Sequence, residues 1–154
     1  MQSAETRHVQ TGIHHQGNEM KNTLKAGAVH EEKIGIDEER TIAFMGDELR
    51  VYATPLMVRD IEHTCRQLLL PHHDDGEDSV GARVEIDHLG PTLIGQSVTV
   101  RAEVVEVEGP RIVFEVNVHD ELDHVGRARH IRFVIDKAKQ GGRLAKKKAR
   151  LAEA

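Results

Sequence analysis

The stretch from Val51 to Leu70, VYATPLMVRDIEHTCRQLLL, constrains the fold more than any other. Thr54 followed by Pro55 is a helix start, with a hydroxyl at the N-cap and a proline at the first helical position. Pro71 ends the helix, because the residue before a proline is pushed out of the helical region. At the helical period Thr64, Met57, Leu68, Ile61, Cys65, Val58 and Leu69 fall on one continuous arc. A face that apolar must lie against another element. Glu62 stands just past the rim of the arc, beside Leu69, an unusual place for a carboxylate.

The rest of the chain supplies a sheet. Ala28 to Ile36 is a candidate first strand carrying Val29, Ile34 and Ile36. From Ser79 the period becomes two: Val84, Ile86 and His88 share one face, Arg83, Glu85 and Asp87 the other. Gly90-Pro91 breaks that strand. Val98, Val100, Ala102 and Val104 alternate with Thr99, Arg101 and Glu103. Ile112, Phe114, Val116 and Val118 alternate with Glu115, Asn117 and His119. In the last strand, Val125 to Ile135, Ile131, Phe133 and Ile135 share one face and His130 and Arg132 the other. The turns at Gly109-Pro110 and Asp120 to Asp123 leave no room for helical crossovers. The expected class is α+β: a helix, then an antiparallel meander whose one apolar face the helix covers.

A chain of 154 residues fits one domain. Residues 1–25 are polar, lack apolar periodicity and include His8, His14 and His15; they read as a flexible arm with solvated histidines. Residues 26–137 hold the domain. Residues 138–154 begin with a Gly141-Gly142 break and continue as a basic helix or tail. The His72 to Asp78 segment, HHDDGED, holds both kinds of metal ligand. Adjacent side chains rarely converge on one ion, so it is expected as a solvated loop, and neither a metal nor a cofactor is assigned. A net charge of −5 and 3% aromatics without Trp argue against nucleic-acid binding, even for the Lys146-Lys147-Lys148 run. The single cysteine, Cys65, excludes an internal disulfide. With no membrane-length apolar run and no signal-peptide layout, the expected location is cytoplasmic.

Three residues stand out by position. Alternation turns His88 toward the helix side of its strand, Glu62 sits on the apolar rim, and Thr54 marks a helix N-terminus, where N–H groups favour developing negative charge. Each also has a purely structural role available: Thr54 as a cap, Glu62 paired with Arg66 four residues on, His88 as a packed strand-end histidine.

The spacing Y-A-T-x-x-M-V-x-x-x-E-x-x-C over Tyr52 to Cys65 adds to this. So do Ser79-Val80-Gly81, Asp87-His88, the Gly95 to Val100 segment and Val118-His119-Asp120-Glu121. Over about Glu31 to Lys137 the chain resembles the fluoroacetyl-CoA thioesterase-like group of the hot-dog fold. The resemblance implies an antiparallel sheet wrapped around one central helix, and a catalytic set of Thr54, Glu62 and His88. It also implies binding positions at Gly81 and Arg132. Glu62 would act as nucleophile or as base for a water, His88 would activate water or protonate the thiolate, and Thr54 would orient them. Arg132, Arg129 and the basic tail are candidate contacts for CoA phosphates. Pro55-Leu56 stands where that group has a glycine and an aromatic, and Thr41 to Arg50 does not resemble its aromatic-rich lid. These differences bear on the acyl group and leave thioester hydrolysis as the implied reaction.

The expectation is a homodimeric acyl-CoA thioesterase releasing a short or small acid and CoA. Family dimers join their sheets edge to edge, with the active site at the interface. The rival readings are a non-catalytic acyl-CoA-binding hot-dog protein, a sensor or carrier, and an enoyl-CoA hydratase, whose Asp/His pair is not found here.

Overall fold

The computed structural model describes residues 23–154. The histidines expected on a flexible arm, His8, His14 and His15, lie outside the described residues. At its end, Leu24 is buried in the core and the Thr23 hydroxyl lies 2.6 Å from His72 Nδ1.

The elements in chain order are β1 (Val29–Gly35), α1 (Thr54–Leu69), β2 (Glu77–His88), β3 (Ser97–Glu108), β4 (Arg111–His119), β5 (His124–Asp136) and α2 (Lys137–Ala152). The five strands form one sheet in the order β1-β3-β4-β5-β2, every pair antiparallel. The meander is therefore β3-β4-β5 alone. The strand after the helix does not pair with the next strand in sequence, as the sequence reading had it; it crosses to the far edge beside β5. The cause is the connection, which is not a tight hairpin: Tyr52 N–H bonds Thr92 O at 2.9 Å and Val51 bridges Leu93, so the loop after His88 is tied beneath the start of α1. The β4–β5 turn is held by Asp120, whose carboxylate accepts the Leu122 and Asp123 N–H groups at 2.8 and 2.7 Å.

The sheet curls around α1. Met57, Ile61, Cys65 and Leu69 are fully buried against Val98, Val100, Ala102 and Val104 of β3 and Ile112, Phe114, Val116 and Val118 of β4. Each large aliphatic side chain buried this way contributes about 1.5–3 kcal/mol. Six of the seven residues of the expected arc are buried, Val58 only partly so, and Asp60 is buried as well.

Four local expectations change. Ala53, not Thr54, is the N-cap of α1. The Ala53 carbonyl takes the N–H groups of Leu56 and Met57, and Thr54, now the first helical residue, is free to turn its hydroxyl sideways. In β5 the face toward the helix is Ala128, His130, Arg132 and Val134; Phe133 points out. In the segment read as a solvated loop, His73 and Glu77 are buried. The Gly141-Gly142 pair lies within α2, which Asp136 starts by accepting the Lys139 N–H, and does not break it. No helix among the described residues is long and apolar enough to cross a membrane.

Candidate active site

The proposed site residues fall into two groups, one at the N-terminal end of α1 and one near its middle. At the N-terminal end, Thr54 Oγ1 lies 2.7 Å from His88 Nδ1, joining the first residue of α1 to the last of β2. Burial holds the His88 imidazole below its ordinary value, with the Gly90 backbone acting in the opposite sense, so the ring is neutral at pH 7. The edge of the Tyr52 ring faces the His88 ring, centroids 6.3 Å apart.

Tyr52 is itself held from below. Its hydroxyl donates to Asp60, a buried carboxylate that also takes a two-pronged pair of bonds from Arg40 at 3.0 and 3.1 Å. Burial first, and the bond to Asp60 second, push the Tyr52 hydroxyl well above the usual phenol range. Tyr52→Phe keeps the ring against His88 and removes one donor to a charged acceptor, so urea denaturation is expected to show a loss of about 1.5–2 kcal/mol.

The second group forms two turns further along α1. The helix rises about 12 Å over the eight residues from Thr54 to Glu62. Glu62 does not pair with Arg66, which is engaged by Asp78 at 2.7 and 3.0 Å. Its ion-pair partner is Arg132, with Nη1 3.7 Å from Oε2. Arg132 is 4% exposed and held in place by Ser79, donating to its hydroxyl at 2.8 Å and its carbonyl at 2.9 Å. Those bonds turn the guanidinium inward, away from any surface phosphate. His130 completes the support. Its Nδ1 lies 2.7 Å from the Arg83 carbonyl, which only accepts, and its Nε2 lies 3.2 Å from Arg132 Nη1, which only donates. The ring is therefore the neutral Nδ1–H form with its lone pair occupied. Burial lowers its basicity, with the bond to the Arg83 carbonyl acting in the opposite sense.

Gly81 is required by this packing. A Cβ built there would stand 2.8 Å from Glu62 Oε2 and 3.3 Å from His130 Cε1. Glu62, Gly81 to Val84 and His130 line a cleft of about 280 Å³. Arg129 stands apart from both groups. It is exposed on the outer face of β5, lining a cleft with Glu85, Asp87, Asn117 and Arg127.

The described residues thus bring Thr54 to His88, and Glu62 to Gly81 and Arg132, with no hydrogen bond or ion pair joining the two groups. Sequence reasoning missed His130 and Asp60. His130 was placed with Arg132 on the polar face of its strand, and Asp60 was not placed on the helix arc. The available signal for His130 was its parity with Ala128 and Val134, small and apolar neighbours that fit an inward face. Among the described residues no cluster of three His, Cys, Asp or Glu side chains is placed to hold a metal ion.

Comparison with known proteins adds the family. A model of the fluoroacetyl-CoA-specific thioesterases matches residues 36–138. The chain is 30% identical over 135 residues to the fluoroacetyl-CoA thioesterase of Streptantibioticus cattleyicolor, covering 83% of this chain and 97% of that one. Among solved structures, a Thermus thermophilus thioesterase superfamily member superposes with a TM-score of 0.79 at 30% identity, covering 86% of this chain and 99% of that one. A mutant fluoroacetyl-CoA-specific thioesterase in complex with fluoroacetate and CoA superposes with a TM-score of 0.70 at 29% identity, covering 75% of this chain and 98% of that one. With the hot-dog sheet, the central helix and the matched segment taken together, the chain belongs to the fluoroacetyl-CoA-specific thioesterase family.

Proposed function

We propose that this acyl-CoA thioester hydrolase acts in the cytoplasm on short or small acyl groups, as a homodimer whose two copies build each site together. The observation that carries the reading is the division of the three reactive side chains between two places on one chain. β2 is a twelve-residue edge strand with an unpaired side. If two copies pair antiparallel along β2 about a two-fold axis near the middle of the strand, the Gly81 end of one copy comes beside the His88 end of the other. Glu62, beside Gly81, then faces Thr54 and His88 of the second copy. The edge is closed and the site completed in one step.

The roles follow from the environments. His88 is neutral at pH 7 and so can accept a proton. One water needs only one base, which leaves the Glu62 carboxylate as the nucleophile. Its oxygen bonds to the acyl carbon as the C–S bond breaks, and the electron pair leaves on sulfur. His88 then removes a proton from water, whose oxygen attacks the acyl carbon of the mixed anhydride. The acid is released, the Glu62 carboxylate is restored, and the proton on His88 passes to the thiolate. Arg132 fixes the direction of Glu62, and Thr54 that of His88. Rapid quench of a single turnover with radiolabelled acyl-CoA traps the acyl group on Glu62 by this route and leaves the protein unlabelled if the carboxylate only deprotonates water.

The test is release of CoA from a panel of acyl-CoA thioesters, followed with a thiol reagent, alongside molar mass by light scattering. Binding of the panel without turnover by any member would favour the sensor or carrier reading. The pH profile has a stated sign. His88 must be unprotonated, and its pKa lies below the ordinary 6.5. The acid limb of kcat/KM therefore falls below pH 6.5, activity being lost as pH drops through the folded-state value, and His88→Asn removes the limb.

A further inference from the structure

Helix α2 is unlike the rest of the molecule. It carries seven Lys and Arg and no acidic residue, whereas residues 1–136 carry 14 Lys and Arg against 25 Asp and Glu. Every arginine from Arg40 to Arg132 except Arg129 lies within ion-pair distance of a carboxylate. In α2, Lys137, Arg143, Lys146, Lys147, Lys148 and Arg150 have no such partner among the described residues. The helix buries no side chain. Lys139, Arg143, Lys146 and Arg150 follow at intervals of four, three and four residues along one face, a spacing at which like charges oppose the helix. Gly141 and Gly142 weaken it further. Local rules broken together in this way mark a surface shaped for something other than stability.

The cationic face borders a cleft of about 350 Å³. Val80, Phe133, Ile135 and one carboxylate, Asp136, line it from the sheet, and Lys139, Gln140 and Arg143 from the helix. Val80 and Phe133 are cross-strand partners and both are exposed apolar residues. An exposed aromatic ring beside a row of cations fits a planar base that carries phosphates. The cleft is at the small end of the range for small-molecule sites, about 300–1,000 Å³. All but the first two residues of α2 lie beyond the segment that the family model matches.

We propose that Phe133 and the cationic face of α2 form the subsite for the nucleotide end of CoA. The base lies on Phe133 and Val80, and the phosphates meet Arg143 and the cations that follow it. The inference rests on the acyl-CoA reading above. The pantetheine arm separates the thioester from these phosphates, so the anionic nucleotide is held on a cationic arm and away from Glu62. Charge complementarity selects this occupant: the body is acidic, and Arg143, Lys146 and Arg150 of α2 carry positive charge with no ion-pair partner among the described residues.

The test compares Arg143→Glu with Lys148→Glu, which makes the same charge change on the opposite side of the helix. For a small acyl group presented on CoA and on pantetheine, Arg143→Glu should shrink the kcat/KM preference for the CoA thioester about tenfold, and Lys148→Glu should leave it in place. Calorimetry with adenosine 3′,5′-bisphosphate should show the same contrast in affinity, and Phe133→Ala should weaken binding several-fold. Equal responses to the two charge reversals, or none, would overturn the subsite. So would binding of single-stranded DNA or anionic lipid vesicles, and not of the bisphosphate, that is lost in Arg143→Glu. Bisphosphate bound by wild type and lost in Arg143→Glu, with neither thioester hydrolysed, keeps the subsite and ends the hydrolase reading.

Discussion

Glu62→Gln lowers kcat for acyl-CoA hydrolysis by about a thousandfold and leaves the protein folded. The amide keeps the shape of the side chain and removes the nucleophilic oxygen. The structural cost is small. Arg132 keeps its two bonds to Ser79, and the Glu62 side chain is 44% exposed at 3.7 Å from Arg132, so water screens the pair. About 1 kcal/mol or less of unfolding free energy is at stake. The check is stopped-flow or steady-state kinetics alongside urea denaturation. A variant that retains full activity removes Glu62 from the chemistry, even if the enzyme is a thioesterase.

Gly81→Ala is expected to separate activity from stability in the same way by a different physical route. No positive φ occurs at Gly81, so the backbone accepts alanine. The new methyl instead meets Glu62 Oε2 at 2.8 Å, and that carboxylate can swing because it is the far end of a flexible side chain. The fold therefore survives within about 1 kcal/mol. The displaced carboxylate no longer faces the acyl carbon, and kcat falls about a hundredfold, the effect of an ångström-scale misplacement. A matching loss in Tm would show instead that Gly81 serves packing against His130, 3.3 Å from the same methyl.

The parts that were legible in the sequence are those where one local rule governs. The apolar arc of α1 and the alternation of β3 and β4 follow from burial on one face, and Glu62 was visible as the break in that arc. What was not legible depends on distant parts of the chain. The position of β2 at the far edge follows from the tie between Thr92 and Tyr52, which no period records. The faces of β5 were misjudged because apolar side chains were taken to point inward. In this strand His130 and Arg132 point inward, since they support a carboxylate, and Phe133 borders the surface cleft beside α2. Thr54 was read as a cap because its type and place before a proline fit one. The Ala53 carbonyl holds that turn, and the hydroxyl bonds His88. In both cases the local preference yields where the site requires something else.

The claim that each site is shared by two copies is tested most directly by coexpressing Glu62→Gln with His88→Ala. Each variant alone is inactive. In a mixed dimer, one site joins the intact His88 of the first chain to the intact Glu62 of the second, and the other site has neither. Random pairing should then restore about a quarter of wild-type activity. A mixture no more active than the separate variants would place Glu62 and His88 of one chain in the same site and contradict the account.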